Sequence, residues 1–338
     1  MNTPIQIGLI GAGRIGQVHA RTIAYRVSRA RLAAVTDPMP GAAERVAQAF
    51  NVPTAGDAEA ILANPAIDAV LICTPTDTHA PLIEAAAAAG KHIFCEKPVA
   101  LDLAATDRAL AAAERAGVKL QIGFNRRFDP NFMRVRQAIE RGEIGTPHIL
   151  HIVSRDPAPP PLSYIAVSGG IFLDMAIHDW DSARVLIDSN IEEVYVQGGV
   201  MVDPAIGEAG DIDTHVTLLR FENGVIGTVD NSRKAVYGYD QRVEVFGSGG
   251  AIQSENSYPN SAVISTAETV RRDLPLNFFM DRYVDAYANE IAAFVDAVAD
   301  DAPIPVTGAD GRKALVAALA ARRSYQEHRP VRLAEIAP

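Results

Sequence analysis

A lysine at the end of an apolar run is the first residue with the type and setting needed for chemistry. Lys97 lies between Glu96 and Pro98 and follows Ile93-Phe94-Cys95, which predicts a buried strand. An ammonium group at such a strand end could stabilise the alkoxide that forms when an alcohol is oxidised. The alternative is an ion pair with Glu96 or another carboxylate. The X-Pro bond after Lys97 also permits a cis peptide.

An aspartate and a histidine form a second candidate group. Asp174 and His178 follow the pair Gly169-Gly170, and a helix would place them one turn apart on one face. Imidazole titrates near neutrality, and a neighbouring carboxylate orients it, so this pair suits a general base. Taken in isolation, the same spacing is more often a surface pair without a catalytic role.

A glycine-rich turn lies near the start of the chain. The apolar segment Ile5 to Ile10 predicts a buried parallel strand, and a helical pattern runs to about Val27. The turn between them fits the dinucleotide-binding fingerprint in its required context, with the sequence Gly11-Ala12-Gly13-Arg14-Ile15-Gly16. Its three glycines predict a tight turn, a close approach to a pyrophosphate, and close packing of helix on strand. The helix N-terminus would bind the phosphates.

An acidic residue after the second predicted strand indicates which dinucleotide binds. Asp37 ends the strand Leu32–Thr36 and lies 21 residues beyond Gly16, where a carboxylate can bind the adenosine ribose hydroxyls. A carboxylate repels a 2′-phosphate, so the sequence favours NAD over NADP. The alternative is that Asp37 only caps the next helix.

Strands and helices then alternate to about residue 125, which predicts a Rossmann domain with a doubly wound parallel sheet. Ligands bind such sheets beyond the carboxyl ends of the strands. The predicted cofactor contacts are Gly11, Ala12, Gly13, Arg14, Ile15, Asp37, Thr74, Pro75, Thr76, His79, Glu96, Lys97 and Asn125.

After residue 125 the pattern changes. Four runs near 192–198, 213–221, 225–231 and 241–246 alternate like the strands of a half-exposed sheet. We therefore predict two domains, an NAD-binding domain over 1–125 and a substrate-binding and oligomerisation domain over 126–338.

Composition excludes several classes of protein. The net charge is −10, and residues 126–338 carry the whole acidic surplus, which argues against a nucleic-acid partner. Only two cysteines occur, Cys73 and Cys95, so neither a disulfide framework nor a cysteine metal site is expected. The histidines of the second domain show no recognised ligand spacing, and no metal is predicted. With no apolar stretch of membrane-spanning length and no basic leader, we expect no membrane partner and a cytoplasmic location.

Together these motifs resemble the Gfo/Idh/MocA family of oxidoreductases. The resemblance is carried by the glycine turn, Val35-Thr36-Asp37, Cys73-Thr74-Pro75, Glu96-Lys97-Pro98, Gly123 to Phe128, Gly169 to His178 and Gly308–Tyr325. It implies that Lys97, Asp174 and His178 form the catalytic triad, with Lys97–Pro98 usually cis. It also implies a C-terminal α/β domain with a large, mainly antiparallel open sheet, which serves as the interface of a dimer or tetramer. A C-terminal helix over about 309–327 would pack back on the first domain.

Further segments resemble the inositol dehydrogenases of that family, which implies a polyol site. Residues matching Arg127, Asp156 and Tyr237 line it, beside Lys97, Asp174 and His178. The alternatives are an ion pair of Arg127 with Asp129 or another acid, a turn capped by Asp156, and stacking of Tyr237 in the sheet.

The expected reaction is oxidation of myo-inositol to 2-keto-myo-inositol by hydride transfer to NAD. Scyllo-inositol or a hexopyranose such as glucose or galactose is the alternative substrate, and a non-catalytic dinucleotide-binding regulator is the alternative from another class. Two departures leave the substrate open: Asn125 stands where some inositol enzymes carry Met, and the segment 157–161 is unusually rich in proline.

Overall fold

The structure is a computed structural model that describes residues 3–337. Its strands are β1 (Ile5–Ile10), β2 (Ala30–Thr36), β3 (Ala69–Ile72), β4 (His92–Glu96), β5 (Leu120–Gly123), β6 (Pro147–Arg155), β7 (Ile191–Gly199), β8 (Thr214–Phe221), β9 (Ile226–Ser232), β10 (Asp240–Gly247), β11 (Gly250–Ser254), β12 (Val263–Ser265), β13 (Val270–Arg272) and β14 (Val331–Arg332).

The helices are α1 (Arg14–Arg26), α2 (Ala42–Phe50), α3 (Ala58–Leu62), α4 (His79–Ala88), α5 (Leu103–Ala116), α6 (Pro130–Glu140), α7 (Leu162–Ser168), α8 (Ile171–Asp174), α9 (Ile177–Ile187), α10 (Pro204–Glu208), α11 (Phe279–Arg282), α12 (Val284–Ala299) and α13 (Gly308–Glu327). Short 3₁₀ turns cover Thr76–Thr78, Asn125–Phe128 and Leu333–Glu335. Across residues 3–337, none of the helices combines the length and the apolarity needed to cross a bilayer.

The chain forms two compact units whose composition differs from the predicted domains. The first unit runs to Phe128 and adds Asp285–Leu315, and the second holds Asp129–Val284 with the residues from Val316 onward. The predicted second domain is 126–338, with a C-terminal helix over about 309–327 that packs back on the first domain. Residues 308–315 of α13 belong to the first unit. The physical reason for the difference is α12, which buries Ile291, Phe294 and Val295 in the same core as β1 and β4.

The first unit is a Rossmann fold, as predicted. Its five strands are parallel in the order β2-β1-β3-β4-β5. All residues of β3 and β5 are buried, which explains the continuous apolar run of β3. In β5, the buried Gln121 donates a hydrogen bond to the Glu290 carbonyl oxygen. The strand predicted near Val52–Ala55 is wrong: the segment makes a single bridge from Thr54 to Val35. Pro53 lacks an N–H group and cannot extend the ladder.

The second unit contains the predicted large sheet. Its seven strands follow the order β11-β10-β6-β9-β8-β7-β14, and only the β6–β9 pair is parallel. Burial alternates along β8, so one face of that strand is covered and the other is exposed. Helix α9 packs against β6 and against α6. This packing places the Asp174–His178 segment next to the sheet.

Candidate active site

The glycine-rich turn has the geometry expected of a phosphate-binding loop. Gly11 has a φ of +99°, and a Cβ on it would lie 2.6 Å from the carbonyl carbon of Cys73. A Cβ on Gly16 would lie 2.1 Å from the Gly11 carbonyl oxygen. Both positions therefore require glycine.

Gly13 differs from the other two glycines. A Cβ there would meet no atom of residues 3–337 within 4 Å, so packing within the protein does not require this glycine. It caps α1 without a side-chain hydrogen bond, and the first turn of α1 holds no acidic residue. Open space beside uncapped amides at a helix N-terminus fits a pyrophosphate.

Asp37 lies at this turn. Its Oδ2 accepts a hydrogen bond of 2.6 Å from the Ala12 amide, and its Oδ1 accepts one of 2.7 Å from the Met39 amide. The carboxylate therefore also orders the turn after β2. Its contact with Ala12 places it within the predicted dinucleotide site.

The predicted cofactor residues fall into two groups. Those with exposed or partly exposed side chains or backbone are Gly13, Arg14, Ile15, Asp37, Thr74, Pro75, Thr76 and Lys97, and those that are buried are Gly11, Ala12, His79, Glu96 and Asn125. Direct contact with a ligand is therefore favoured for the first group. The buried group is better suited to shaping the site.

His79 illustrates this role. Its Nδ1 lies 2.7 Å from the Pro98 carbonyl oxygen, and its Nε2 lies 2.9 Å from that of Thr74. Burial lowers the pKa of His79 despite these carbonyls, and a neutral imidazole donates to one carbonyl at a time. The ring thus braces the segments after β3 and β4. Both ring nitrogens face the backbone, and direct contact of His79 with the cofactor stays a prediction.

Lys97 directly follows β4 and is partly exposed, and its bond to Pro98 is cis. Glu96 turns inward: its Oε1 lies 2.7 Å from Nε2 of His19 on α1. The side chains of Lys97 and Glu96 thus have different environments, although they are neighbours in sequence.

A second carboxyl group lies behind Glu96. Glu290 on α12 is fully buried, and neither of its carboxyl oxygens has a hydrogen-bond partner among residues 3–337. Burial, and then the charge of Glu96, raises the pKa of Glu290 well above its usual range. The folded protein therefore favours the protonated form of Glu290.

The donor atoms of His19, Glu96 and Glu290 lie within 4.8 Å of one another, a separation that could hold a metal ion. However, His19 and Glu96 are in direct hydrogen-bond contact at 2.7 Å, and an inserted ion would break that contact. We therefore interpret the cluster as a buried carboxyl pair that carries a proton.

Replacing Glu290 with glutamine is expected to raise the melting temperature more at pH 8 than at pH 5. The folded state keeps the Glu290 proton while the unfolded state releases it above the ordinary glutamate pKa, so the wild-type protein loses stability as the pH rises. The loss is about 1.4 kcal/mol per pH unit until Glu290 itself ionises. Glutamine has no such proton. Thermal unfolding of both proteins across this pH range measures the difference.

Glu114→Gln on the exposed face of α5 is the matched control, and it should give no pH-dependent difference. An effect of Glu290→Gln that is the same at both pH values would contradict a protonated Glu290.

In the second unit, the predicted continuous helix through Asp174 and His178 is wrong. Asp174 ends α8, His178 is the second residue of α9, and Met175 and Ala176 lie between the two helices. The Ala176 amide donates to the Ile171 carbonyl, five residues back, which widens this turn. The backbone at Met175 and Ala176 nevertheless stays right-handed helical.

Two further side chains contact Asp174. The Tyr164 hydroxyl on α7 donates a 2.9 Å hydrogen bond to Asp174 Oδ1. The Arg233 guanidinium lies 3.6 Å from Asp174 Oδ2 and 3.3 Å from Asp211 Oδ2. The carboxylate is thus contacted from two other parts of the chain.

Aromatic packing holds the α8–α9 segment. His215 on β8 lies between Phe172 and Trp180, with ring centroids 4.9 Å and 6.1 Å away. Trp180 Nε1 donates to the Phe172 carbonyl oxygen at 3.1 Å. Burial lowers the pKa of His215 to about 3, so the ring is neutral and serves as packing.

The three predicted polyol residues all have protein neighbours. Arg127 pairs with Asp310 at 3.0 Å, whereas Asp129 pairs with Arg282. Burial by itself raises the pKa of Asp310, but the charge and hydrogen bonds of Arg127 and Thr307 outweigh burial and lower it to about 2. The partner of Arg127 is therefore another acid, one of the alternatives considered from sequence.

The Tyr237 hydroxyl donates to Asp240 at 2.6 Å and accepts from Arg155 at 3.1 Å. Burial and the bond to Asp240 raise the pKa of Tyr237, so its hydroxyl stays protonated. Asp156 joins the adjacent backbone: its amide donates to Ser232, and its carbonyl oxygen accepts from Ala235. Tyr237 thus lies in the loop after β9, and Asp156, which directly follows β6, is hydrogen-bonded to the backbone of that loop. The contacts of Tyr237 are polar rather than stacking.

Residues that contact the predicted site residues but were not predicted include His19, Tyr164, Arg233 and Asp310. His19 gave a signal, because it is a polar residue on the apolar face of the helix after the glycine turn. Arg233 and Asp310 lie far along the chain from their partners, and no local spacing marks them.

Family models match both parts of the chain. Residues 5–124 match the oxidoreductase family model GFO_IDH_MocA, with an NAD-binding Rossmann fold. Residues 132–253 match the GFO/IDH/MocA C-terminal domain.

Named relatives match over nearly the whole length. The myo-inositol 2-dehydrogenase of Thermotoga maritima is 47% identical over 98% of this chain and 99% of its own. The inositol 2-dehydrogenase of Rhizobium meliloti is 48% identical, also over 98% and 99%. The crystal structure of scyllo-inositol dehydrogenase from Lactobacillus casei with NAD(H) and scyllo-inositol has a TM-score of 0.92 and 31% identity, and covers 98% of this chain and 100% of that one.

Proposed function

Because this chain belongs to the Gfo/Idh/MocA family of oxidoreductases, we propose that it oxidises myo-inositol to 2-keto-myo-inositol with NAD. The observation that carries the proposal is the similarity to two inositol 2-dehydrogenases at 47% and 48% identity over 98% of the chain. The chain is an NAD-dependent dehydrogenase acting on a ring hydroxyl. A purely dinucleotide-binding regulator is disfavoured, since Lys97, Asp174 and His178 are all present.

Three side chains act on the reacting hydroxyl. His178 takes the hydroxyl proton as general base, and Asp174 orients its imidazole. Lys97 donates a hydrogen bond to the same oxygen and stabilises its developing negative charge. Bound NAD supplies the acceptor for the hydride that leaves the carbon.

The glycine turn supports NAD as the cofactor. Gly13 leaves open space beside the uncapped amides of α1, which suits the pyrophosphate. Asp37 lies against the Ala12 amide and presents a carboxylate where NADP would bring a phosphate. The charge repulsion favours NAD.

Arg127, Asp156 and Tyr237 bind the remaining hydroxyls of the ring. A cyclitol needs convergent donors and acceptors. A guanidinium, a carboxylate and a phenol that stays protonated provide both kinds of group.

A panel of cyclitols and sugars tests the substrate. With NAD, myo-inositol is expected to give the highest kcat/KM by NADH absorbance, and NADP is expected to support little turnover. Scyllo-inositol is the second candidate, since the structurally similar Lactobacillus casei enzyme carries that name. Turnover of glucose or galactose exceeding that of every cyclitol would contradict the proposal.

The protein acts as a homo-oligomer that associates through the second sheet. Val216, Leu218, Ile226 and Phe246 lie on one face of this sheet by strand register, and each is between 45% and 53% exposed. An apolar face of this kind is typical of an interface. A cytoplasmic location is supported by Cys73 and Cys95, which are free buried thiols. Light scattering measures the number of subunits in the homo-oligomer.

A further inference from the structure

A buried arginine lies beside the aspartate of the proton-transfer pair. Arg233 directly follows β9, and its side chain is 1% exposed. Its Nη1 is 3.6 Å from Asp174 Oδ2. Because a guanidinium stays charged at every pH at which proteins are folded, a fixed positive charge faces this carboxylate.

Asp211 holds the arginine in place. Its Oδ2 lies 3.3 Å from Nη2 of Arg233, and its Oδ1 accepts a 3.1 Å hydrogen bond from the Ile171 amide at the start of α8. Gly170 has a φ of +80°, and a Cβ on it would lie 2.7 Å from Asp211 Oδ1. The start of the helix that carries Asp174 is therefore built around the Asp211–Arg233 pair.

Tyr164 completes the arrangement. Its hydroxyl donates to Oδ1 of Asp174, while Arg233 faces Oδ2, so the two oxygens are contacted from different elements. Two partners on the two oxygens restrict rotation of the carboxylate.

We propose that Arg233 is a positioning residue that fixes Asp174 and keeps the His178 imidazole ready to accept a proton. The inference rests on the proposed function, since it takes His178 as the general base. The guanidinium offsets the charge of Asp174, which would otherwise favour the imidazolium form of His178. A base that is already protonated cannot take the hydroxyl proton. With Arg233 present, Asp174 can orient the His178 imidazole while the imidazole stays unprotonated.

The charged and titratable neighbours of Arg233 come from several elements. Asp174 lies on α8, Asp211 lies in the loop before β8, and His215 lies on β8. Burial lowers the pKa of His215 to about 3, so it does not titrate in the range of the test. Protonation of His215 therefore does not contribute to the His178 titration.

The test compares Arg233→Gln with Arg233→Lys by NMR titration of histidines labelled at Cε1, with His178→Asn assigning the signal. In Arg233→Gln the midpoint for His178 is expected to move up by about one pH unit, which corresponds to the loss of one nearby charge. Its kcat should fall about 10- to 100-fold, with the KM for NAD unchanged. Arg233→Lys keeps the charge, so its His178 midpoint and its kcat should lie close to those of the wild-type enzyme. Arg136→Gln, an exposed arginine on α6, is the control and should change neither the His178 midpoint nor kcat.

An unchanged His178 midpoint in folded Arg233→Gln would overturn the inference. If that variant does not fold, Asp211→Asn provides the test. It keeps an acceptor for the Ile171 amide, and Asp174 remains as the charged partner of Arg233. The midpoint should then move to lower pH, and no movement would overturn the inference. The titration needs no substrate, so a failure of the proposed reaction in the cyclitol panel is distinguishable from a failure of this coupling.

Discussion

Lys97→Met is expected to lower kcat for cyclitol oxidation by about 10²–10³-fold, the loss typical of removing one donor to a developing oxyanion. Methionine keeps the length and apolar stem of lysine but removes its ammonium group. The residue directly follows β4, and His79 contacts the carbonyl oxygen of the next residue, Pro98, so the backbone should be unaffected. NAD binding, measured by calorimetry, should change by no more than a few-fold, because the glycine turn and Asp37 remain.

Lys119→Met is the matched control. Lys119 precedes β5, so it lies at the amino end of a parallel strand, and its Nζ pairs with Asp301 at 2.8 Å. The Lys119 side chain is partly buried and also donates to the Ala302 carbonyl oxygen, whereas Asp301 is exposed. A pair with one exposed partner contributes about 0–1 kcal/mol to stability, so the variant should fold and retain its activity. Near-normal turnover of Lys97→Met would contradict the role of Lys97 in the mechanism.

His178→Asn is expected to lower kcat by about 10²–10⁴-fold, the range for loss of a general base. In the wild-type enzyme, activity should rise as increasing pH deprotonates His178, because only the neutral ring accepts a proton. The variant should lose this rise along with the turnover. Asp174→Asn should keep part of the rate, since it leaves the imidazole but not the carboxylate that orients it.

His151→Asn serves as the control for the histidine substitution. His151 is exposed on β6, and its Nδ1 lies 2.7 Å from the Thr228 hydroxyl. Its kcat and its pH profile should match the wild-type enzyme. A His178→Asn enzyme that retained the wild-type pH profile would assign the base to another group.

The first unit could be predicted from sequence because its signals are local. The glycine turn, the position of Asp37 and the buried runs of β3 and β5 each follow from residues close together in the chain. Two local predictions were wrong. The strand predicted near Val52–Ala55 is reduced to a bridge at Pro53, and a turn at Ala176 divides the predicted helix into α8 and α9.

The extent of the first unit and the partners of its polar groups were not predictable in this way. Residues 285–315 belong to the first unit because α12 supplies apolar side chains to its core. The hydropathy of a helix does not predict which of two cores it packs into. The same helix brings Glu290 to Glu96, which is 194 residues earlier in the chain.

The sequence by itself determined the cofactor class, the two fold types and the identity of Lys97, Asp174 and His178 as the candidate catalytic groups. Residue type and spacing specify the glycine turn and Asp37, and the resemblance carried by the motifs together implies the second sheet and the catalytic groups. Only the tertiary structure decided what surrounds those groups: His79 against two carbonyls, Glu96 against His19, and Arg233 against Asp174. The last two contacts join residues that are distant in the chain. Their geometry depends on the packing of whole elements, which no local pattern records.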